Sequence, residues 1–326
     1  MKTIDLVVPC YNEGESLRMF YAEAERVAKL LPSYTFRYIF VDDGSKDNTY
    51  QIMCELAEKD PDVGCISFSR NFGKEAAMYA GLQNSSGDYV CIIDADLQHP
   101  PQMIVQMMEE IEKGHDCCAA RRVTRAGEPK IRSMFSRLFY KLINKMSEIE
   151  IVDGAVDFRV MSRQMVDAIL ELSEVQRFSK GIFVWVGFDT QWIEFENVER
   201  IAGESKWSFW SLLKYAIDGI TSFTTVPLRF AFVVGTVISL SSFIYLIVVI
   251  LQTLITGITV PGYATTIVLL LFLGGIMILS SGVLGEYVAR LYTEVKKRPI
   301  YIAKHNTLKK QKIEGHNRTV KGENNK

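Results

Sequence analysis

The sequence predicts an α/β domain with a mostly parallel sheet flanked by helices, followed by a hairpin of two membrane-spanning helices. Over residues 1–125, short apolar runs alternate with helical patterns, which is typical of a sheet covered on both faces. Polar clusters follow several of the apolar runs, at the strand ends where open parallel sheets bind their ligands. Farther along, no charged residue occurs between Phe230 and Gly285. At 326 residues the chain has room for both parts.

The predicted strands are short apolar runs, and each is followed by a helix-like segment. The strands are expected at residues 4–8, 36–41, 64–68, 89–93 and 116–120. The helices between them are expected at residues 15–31, 49–58, 74–83 and 101–113. Because parallel strands separated by helices end at one edge of the sheet, the polar residues that follow them should lie together.

Asp94-Ala95-Asp96 directly follows the fourth predicted strand. Residues i and i+2 of an extended segment lie on the same face, so both carboxylates can point at one hard cation. Mg²⁺ or Mn²⁺ held by one or two carboxylates with positions left for substrate phosphates suits a phosphate-handling enzyme. A solvated acidic turn is the alternative interpretation of this short motif.

Two further polar clusters follow the first and second strands. They are Pro9-Cys10-Tyr11-Asn12-Glu13 and Asp42-Asp43-Gly44-Ser45. The chain has neither G-x-G-x-x-G after strand one nor a G-x-x-x-x-G-K-[ST] phosphate loop. Without a glycine-rich cradle, a diphosphate must be bound by a metal and by Arg or Lys, which favours Asp94 and Asp96 as metal ligands.

Residues 128–147 predict an amphipathic helix with a basic polar face. Its apolar positions from 131 to 146 follow the i, i+3, i+4, i+7 spacing. The segment either packs on the core or lies in the plane of the lipid headgroups, and the basic face favours the membrane surface. Residues 206–228 predict a second, juxtamembrane helix with interfacial aromatic residues.

Residues 229–290 predict the membrane hairpin, with spans near 230–256 and 265–285. Each span reaches the roughly 20 apolar residues that cross a bilayer. A buried core hairpin is the alternative. Both flanks of the hairpin are basic, and the segment 290–326 has eleven basic and three acidic residues. The positive-inside rule therefore puts the catalytic domain and a basic tail, residues 291–326, in the cytoplasm of a multi-pass protein.

The basic tail favours anionic lipid headgroups over nucleic acid, because no aromatic interleaving or nucleic-acid-binding signature accompanies it. The first residues lead directly into a strand-like run, so no signal peptide is predicted. The six cysteines lack C-x-x-C spacing and are expected to be small core residues of a reduced compartment.

Several motifs, in order and spacing, resemble the family 2 glycosyltransferases. They are residues 8–13, 41–49 and 94–100, Ser69-Arg70-Asn71-Phe72-Gly73-Lys74-Glu75, Asp157-Phe158-Arg159, Gly203-Glu204-Ser205-Lys206-Trp207 and Gly285-Glu286-Tyr287. More narrowly, the chain is similar to the polyisoprenyl-phosphate glycosyltransferases, a group that includes dolichol-phosphate mannose synthase and the bactoprenol glucosyltransferases. The match covers the chain to about residue 303 and is closest to the bacterial branch with two C-terminal membrane helices.

This resemblance implies a GT-A fold over residues 1–205, a nucleotide-sugar donor, a divalent metal and a polyprenyl phosphate acceptor at the inner membrane of a bacterium. By motif, Asp94, Asp96 and Gln98 would bind Mg²⁺ or Mn²⁺. Donor-binding residues would be Pro9, Tyr11, Glu13, Asp43, Asp94 and Arg121. Lipid-phosphate-binding residues would be Arg122, Arg200 and Lys206. Asp157, Asp96 and Lys206 would form the catalytic set.

The implied reaction is a single displacement that inverts the anomeric centre. A hexose, with glucose from a UDP-sugar favoured, would pass to the lipid phosphate and supply a donor for cell-envelope glycans. Asp157 resembles the proposed base of the family, but a phosphate monoester with a second pKa near 6 is mostly dianionic already. Asp157 therefore either removes a proton, or instead orients a group or holds a cation.

Two other functions remain open. A processive polysaccharide synthase would carry a Q-x-x-R-W block, whereas the comparable segment here is Gln176-Arg177-Phe178-Ser179-Lys180-Gly181. A non-catalytic flippase or scaffold would not need the intact Asp94 and Asp96 pair. Glycines Gly274, Gly275 and Gly282 in the second span would permit the close helix contacts of a homo-oligomer.

Overall fold

The computed structural model describes residues 1–123, 144, 151–195, 221–256 and 262–308. Within these residues, eight strands form one mixed sheet in the order β7-β5-β6-β4-β1-β2-β3-β8. The strands are β1 (Lys2–Cys10), β2 (Tyr34–Asp42), β3 (Val63–Phe68), β4 (Tyr89–Ile92), β5 (Cys117–Arg122), β6 (Ala155–Ser162), β7 (Thr190–Phe195) and β8 (Ala303–Asn306).

The centre of the sheet is parallel, as the sequence predicts. β1 lies between β2 and β4 and runs parallel to both, while β2 runs parallel to β3. These strands are continuous apolar runs because helices cover both faces of the sheet. β6 was not predicted as a strand, and it lies antiparallel between β4 and β5. The sheet is therefore mixed toward its edges.

The described residues include eight helices, and six of them pack on the sheet. The helices are α1 (Leu17–Leu30), α2 (Thr49–Lys59), α3 (Lys74–Asn84), α4 (Met103–Glu112), α5 (Arg163–Glu171), α6 (Ser179–Trp185), α7 (Val226–Thr256) and α8 (Tyr263–Val295). Apolar residues of α1, α2 and α4 fill the core on one face, and those of α3, α5 and α6 fill the other.

The change of helix face positions the site. α1 and α2 connect β1 to β2 and β2 to β3 on one face, whereas α3 connects β3 to β4 across the other face. β4 therefore lies on the far side of β1, and the strand order reverses between these two strands. In open α/β sheets, ligands bind beyond the carboxyl ends of the strands at such a point.

α7 and α8 form the predicted apolar hairpin. Both contain a stretch long and apolar enough to cross a bilayer, Val226–Tyr245 and Phe272–Val295, and none of either stretch is buried within the protein. Side chains such as Phe232 and Ile278 are about three-quarters exposed, at 74% and 76%. A core hairpin would bury such residues, so the exposed surface identifies a membrane-associated hairpin.

The first residues of the segment predicted as a basic tail, from residue 291, are ordered. α8 continues to Val295, and β8 adds an antiparallel edge strand beside β3. The reason is local: Ile300 and Tyr301 pack on the apolar core between α3 and the sheet. The composition of this segment does not predict the ordered structure, because its apolar residues are few among many basic ones.

Some predicted features lie outside the described residues. They are nearly all of the amphipathic helix at 128–147, the first part of the juxtamembrane helix at 206–220, Arg200, Lys206 and the tail beyond residue 308. The cysteines agree with expectation: all six are free thiols, and five are buried.

Candidate active site

The loops after β1 and β2 are tied together at the carboxyl edge of the sheet. The backbone N–H of Asn12 donates to the Ser45 hydroxyl at 2.9 Å, and the N–H of Lys46 donates to the Asn12 side-chain oxygen at 2.8 Å. Asn12 has a φ of 56°, a left-handed conformation that asparagine tolerates. The N–H of Glu13 donates to Thr49 Oγ1 at 2.8 Å. These contacts fix the first two polar clusters as one surface.

The predicted donor-binding residues Pro9, Tyr11 and Glu13 lie along this surface. Pro9 is buried within β1, whereas Tyr11 and Glu13 are partly exposed beyond its end. The Glu13 carboxylate accepts a hydrogen bond from the Ser16 hydroxyl at 2.8 Å, which orients it at the start of α1. Their contact with a nucleotide stays a prediction.

Three carboxylates surround the end of β1. Burial raises the pKa of the Cys10 thiol well above its usual value, and the charges of Glu13, Asp42 and Asp94 raise it further. Asp42 is buried and accepts hydrogen bonds from the Ser45 N–H and the Ser67 hydroxyl, so its role is to hold its own loop. Glu13 and Asp94 remain partly exposed and face the edge.

Asp43 is buried more deeply than a residue that binds a ligand at the protein surface. Its side chain accepts hydrogen bonds from the N–H of Phe72 at 2.6 Å and of Gly73 at 3.0 Å, and the residue is only 3% exposed. Burial raises the pKa of Asp43 to about 6, although these N–H groups act in the opposite direction. Asp43 therefore holds the segment that leads into α3, and its predicted contact with a base stays a prediction.

Lys74 joins Asp94 to Asp157 in one ion-pair cluster. Its ammonium nitrogen lies 2.7 Å from an oxygen of Asp94 and 2.7 Å from an oxygen of Asp157. Burial alone would raise the pKa of Asp157, but the positive charges of Lys74 and Lys180 hold that pKa well below its usual range. Burial likewise opposes the charge on Lys74, but both carboxylates raise its pKa above the usual value. The predicted metal ligand Asp94 and the predicted base therefore share one lysine.

The start of α3 brings Lys74 to the edge. Gly73 precedes the helix with a φ of 99°, a conformation that glycine permits, and Lys74 and Glu75 then form the first turn of the helix. The Glu75 carboxylate accepts hydrogen bonds from the Ser179 N–H, at 3.1 Å, and from the Ser179 hydroxyl. Burial and the negative charge of Asp157 raise the pKa of Glu75 to about 7. The first turn of α3 is thus held between the sheet edge and α6.

The turn after β4 presents Asp94, Asp96 and Gln98. Leu97 has a φ of 57°, and the Gln98 N–H donates to the Asp96 carboxylate at 3.1 Å. All three predicted metal-binding side chains are partly exposed. The tight turn keeps them within a few residues of the end of β4.

His99 is the buried residue that follows Gln98 in this turn. It is 8% exposed and packs against the rings of Phe158 and Phe195, at centroid distances of 5.8 and 5.2 Å. Its Nδ1 lies 4.0 Å from an Asp94 oxygen, beyond hydrogen-bonding distance, and no other partner is present among the described residues. Burial lowers the pKa of His99, so the neutral ring supports Asp94 by packing.

The donor set of this turn fits a divalent cation that substrate oxygens help to hold. Nowhere in the described residues do three or more His, Cys, Asp or Glu side chains form a metal-binding group by themselves. Asp94 and Asp96 supply two hard oxygen ligands, which suits Mg²⁺ or Mn²⁺ with substrate phosphates completing the shell. Asp94 already faces the ammonium group of Lys74, so its position accepts positive charge.

Arg121 and Arg122 end β5 at the same edge. β4 and β5 both run antiparallel to β6, so their carboxyl ends share the edge that carries Asp94. Arg121 donates to the carbonyl oxygen of Asp153 at 3.2 Å, and its side chain is 41% exposed. The predicted clamps Arg200 and Lys206 lie outside the described residues. The edge thus brings together Glu13, Asp94, Asp96, Gln98, Arg121, Arg122 and Asp157, and adds Lys74, which was not predicted as a site residue.

Two family matches cover most of the chain. Residues 5–170 match Glycosyl transferase family 2, and residues 226–291 match the GtrB C-terminal hairpin. The first match spans the sheet edge with its carboxylates, and the second spans α7 and nearly all of α8. Together they correspond to the two parts that the sequence predicts.

Individual relatives extend over both parts. The SfII prophage-derived bactoprenol glucosyl transferase of Shigella flexneri is 44% identical over 301 residues, covering 92% of this chain and 97% of the relative. A prophage bactoprenol glucosyl transferase homolog of Escherichia coli K12 is also 44% identical, with 92% and 98% covered. Among solved structures, mannosyl-3-phosphoglycerate synthase from Rubrobacter xylanophilus is similar at a TM-score of 0.45 and 17% identity, covering 67% of this chain and 71% of that one.

Proposed function

The chain belongs to glycosyl transferase family 2 and is a glycosyltransferase, and from that premise we propose that it transfers a hexose from a nucleotide sugar to polyprenyl phosphate. The observation that carries the proposal is the joint occurrence of the Asp94–Lys74–Asp157 cluster and the exposed apolar hairpin in one chain. The charged cluster is suited to binding phosphate groups. The apolar hairpin brings this cluster close to a lipid acceptor. The relatives named as bactoprenol glucosyl transferases favour glucose as the sugar. A UDP-sugar as the donor is part of the proposal.

The donor diphosphate would bind at the end of β4. Asp94 and Asp96, with Gln98 beside them, would hold Mg²⁺ or Mn²⁺ there, and the nucleoside would extend along the surface of Tyr11 and Glu13. A bound divalent cation would offset the negative charge that develops on the departing diphosphate. The lysine between Asp94 and Asp157 adds a positive charge on the side facing the acceptor.

The acceptor phosphate would approach from the side of Asp157 and the arginines of β5. We assign Asp157 an orienting role in place of proton removal, because Lys74 holds the pKa of Asp157 well below its usual range. A general base works best when its pKa lies near the operating pH. The lipid phosphate, with a second pKa near 6, is already a dianion that can attack the anomeric carbon. Arg122, Arg200 and Lys206 are proposed to bind that phosphate.

The membrane arrangement follows from charge. α7 and α8 would cross the bilayer as a hairpin, with the catalytic domain and C-terminal residues on the cytoplasmic side of a bacterial inner membrane, because basic residues flank both ends of the hairpin. The nucleotide-sugar donor would bind from that side. The product would serve as a lipid-linked donor for the modification of envelope glycans. Self-association through the glycines of α8 is part of the same proposal.

The test uses membranes that contain the protein, polyprenyl phosphate, Mg²⁺ or Mn²⁺, and a panel of labelled sugar nucleotides. Labelled lipid that disappears with a chelator is the expected result. Long polymer would instead identify a processive synthase, and no transfer with any donor would identify a scaffold. Asp94→Asn and Asp96→Asn should each abolish transfer while membrane insertion persists. Asp167→Asn, at a 64% exposed side chain of α5, is the matched control and should retain activity.

A further inference from the structure

The segment from Glu294 to Leu308, here called the C-terminal strap, joins the end of α8 to the catalytic domain at two separate places. Resting on the proposed function, we propose that the strap is a rigid coupling that sets the orientation of the active site relative to α8. Its residues are positioning residues: they would govern transfer to an acceptor held in a bilayer, and leave transfer to a water-soluble acceptor unchanged.

α8 is long enough to act as a stalk. It has 33 residues and is therefore about 50 Å long at ~1.5 Å per residue. The hydrocarbon core of a bilayer takes ~30 Å, so the charged end of the helix must extend beyond it. That end carries Glu286, Arg290 and Glu294 at four-residue intervals, and Arg290 donates to the Ser222 hydroxyl at 2.9 Å. The helix therefore leaves the membrane already in contact with the segment that precedes α7.

The first attachment is made by Glu294. Its carboxylate accepts hydrogen bonds from the backbone N–H of Val175 at 2.9 Å and of Gln176 at 3.2 Å. Hydrogen bonds to an ionised acceptor are stronger than neutral ones, and two donors on one carboxylate fix its direction. The loop between α5 and α6 is thereby fastened to the stalk.

This loop leads directly to the active site. It ends at Ser179, whose N–H and hydroxyl both donate to Glu75, the residue next to Lys74. Arg177 of the same loop lies over the ring of Tyr79, one turn farther along α3, with 4.6 Å between the guanidinium carbon and the ring centroid. The loop that Glu294 holds is therefore itself held to the helix that carries Lys74.

The second attachment is β8. It pairs with β3, and Ser69, just past the end of β3, donates its N–H to the carbonyl oxygen of Ile302 at 3.0 Å. The ring of Tyr301 stacks on Phe68 at 4.9 Å, and its hydroxyl donates to Gln83 of α3 at 2.8 Å. The strap thus contacts both β3 and α3, on either side of the Ser69–Gly73 segment that leads into Lys74.

The two attachments restrain the stalk in a way that one could not. Only the residues between Val295 and Ala303 separate the end of α8 from β8, and they include a turn at Lys297, which has a φ of 46°. A single contact would let the catalytic domain pivot about it. Contacts at the α5–α6 loop and at the β3 edge together oppose such a pivot. A rotation of the helix about either attachment would break the contacts of the other.

The experiment compares two acceptors in one preparation. Transfer is measured to a long-chain polyprenyl phosphate in liposomes and to a short-chain, water-soluble prenyl phosphate, with the parent protein and with Glu294→Ala and Tyr301→Ala. We expect each variant to lose at least tenfold in rate with the liposome acceptor and less than twofold with the soluble one. Glu294→Gln keeps an acceptor oxygen and should fall between parent and Glu294→Ala. Tyr292→Ala, at a 61% exposed tyrosine of the same helix, is the matched control.

A merely structural role predicts a different pattern. If the strap only stabilises the fold, both acceptors should lose rate equally, and that result overturns the proposal, as does full activity of both variants in liposomes. Amide hydrogen exchange provides a second measure: Glu294→Ala should speed exchange in residues 172–178 while residues 34–42 stay protected, and unchanged exchange would overturn the coupling. A parent protein that labels neither acceptor contradicts the proposed function itself, whereas the exchange result still reports on the strap.

Discussion

Lys74 forms an ion pair with Asp157, with 2.7 Å between the ammonium nitrogen and a carboxylate oxygen. The lysine comes from the first turn of α3, and the aspartate comes from β6, a strand that runs against the parallel centre of the sheet. Their contact keeps Asp157 ionised and ties it to Asp94. The predicted donor half and acceptor half of the site therefore share one positive charge.

Removing that charge should slow transfer strongly without unfolding the protein. Lys74→Met leaves Asp94 and Asp157 facing each other as like charges and takes away a group that offsets phosphate charge. Loss of one such electrostatic contact costs roughly 10²-fold in turnover. Steady-state transfer of labelled sugar to the lipid measures the effect. Lys180→Met is the control, because Lys180 makes the smaller of the two lysine contributions to the low pKa of Asp157. Equal losses in both variants would contradict a special role for Lys74.

Replacement of Asp157 separates orientation from proton removal. Asp157→Asn should lower turnover about tenfold through loss of the Lys74 contact, and the pH dependence from about pH 5.5 to about pH 8.5 should keep its shape. The reason is that the pKa of Asp157 lies below this range, so its ionisation does not change within it. Single-turnover rates across pH test this. A loss of 10³-fold or more, with disappearance of an acidic limb, would restore the general-base assignment.

The parallel centre of the fold could be predicted because each strand there is a short apolar run bounded by polar residues. The run at 89–93 and the carboxylates after it already predicted an edge site, and the structure places β4 next to β1 at the point where the strand order reverses. β6 could not be predicted in the same way. Its sequence mixes Asp157 and Arg159 with apolar residues, because its first residues line the site and Arg159 is buried beneath the ring of Phe183.

Lys74 and β8 were not predicted for a related reason. A lone lysine at the start of a helix has no distinctive spacing, and its two partners are 20 and 83 residues away in sequence. Its position in the matched segment that begins at Ser69 was the one available signal. β8 is four residues long, and three of its residues are polar. β8 becomes an edge strand only through its pairing with β3.

Asp43 should make stability depend on pH. In the unfolded chain its pKa is near 3.9, and burial raises it to about 6 in the folded protein. A raised pKa means that the contribution is fully present below about pH 4 and is lost as pH rises through about 6. The loss amounts to about 3 kcal/mol of unfolding free energy. Part of this loss has already occurred at about pH 5, so about 1.4 kcal/mol remains to be lost between about pH 5 and about pH 7.5. Thermal unfolding in detergent at these two pH values measures that remainder.

Asp43→Asn is the variant that tests this assignment, because an amide does not titrate and keeps one oxygen for the N–H groups of Phe72 and Gly73. Its unfolding temperature should fall less between the two pH values than that of the parent. Asp167→Asn should behave like the parent. An identical fall in the Asp43 variant would show that other groups cause the pH dependence.

Gly181 is required by the packing of α6 against the segment that leads into the membrane. A Cβ at this position would lie 2.3 Å from the ring of Phe223, which also contacts Phe178 edge to face at 6.0 Å. The ring would have to turn and give up the Phe178 contact. Such overpacking costs roughly 1–3 kcal/mol, against a helical gain of about 0.5–1 kcal/mol on replacing glycine by alanine.

Gly181→Ala should therefore lower the unfolding temperature of the purified protein by a few degrees. Combining it with Phe223→Leu removes the ring and should recover part of the loss, since the two side chains share one space. Gly235→Ala is the control, because none of the described residues that could obstruct a side chain lies within 4 Å of a Cβ placed there. If the double variant is less stable than the sum of the two single changes predicts, the ring of Phe223 is not what excludes a side chain at position 181.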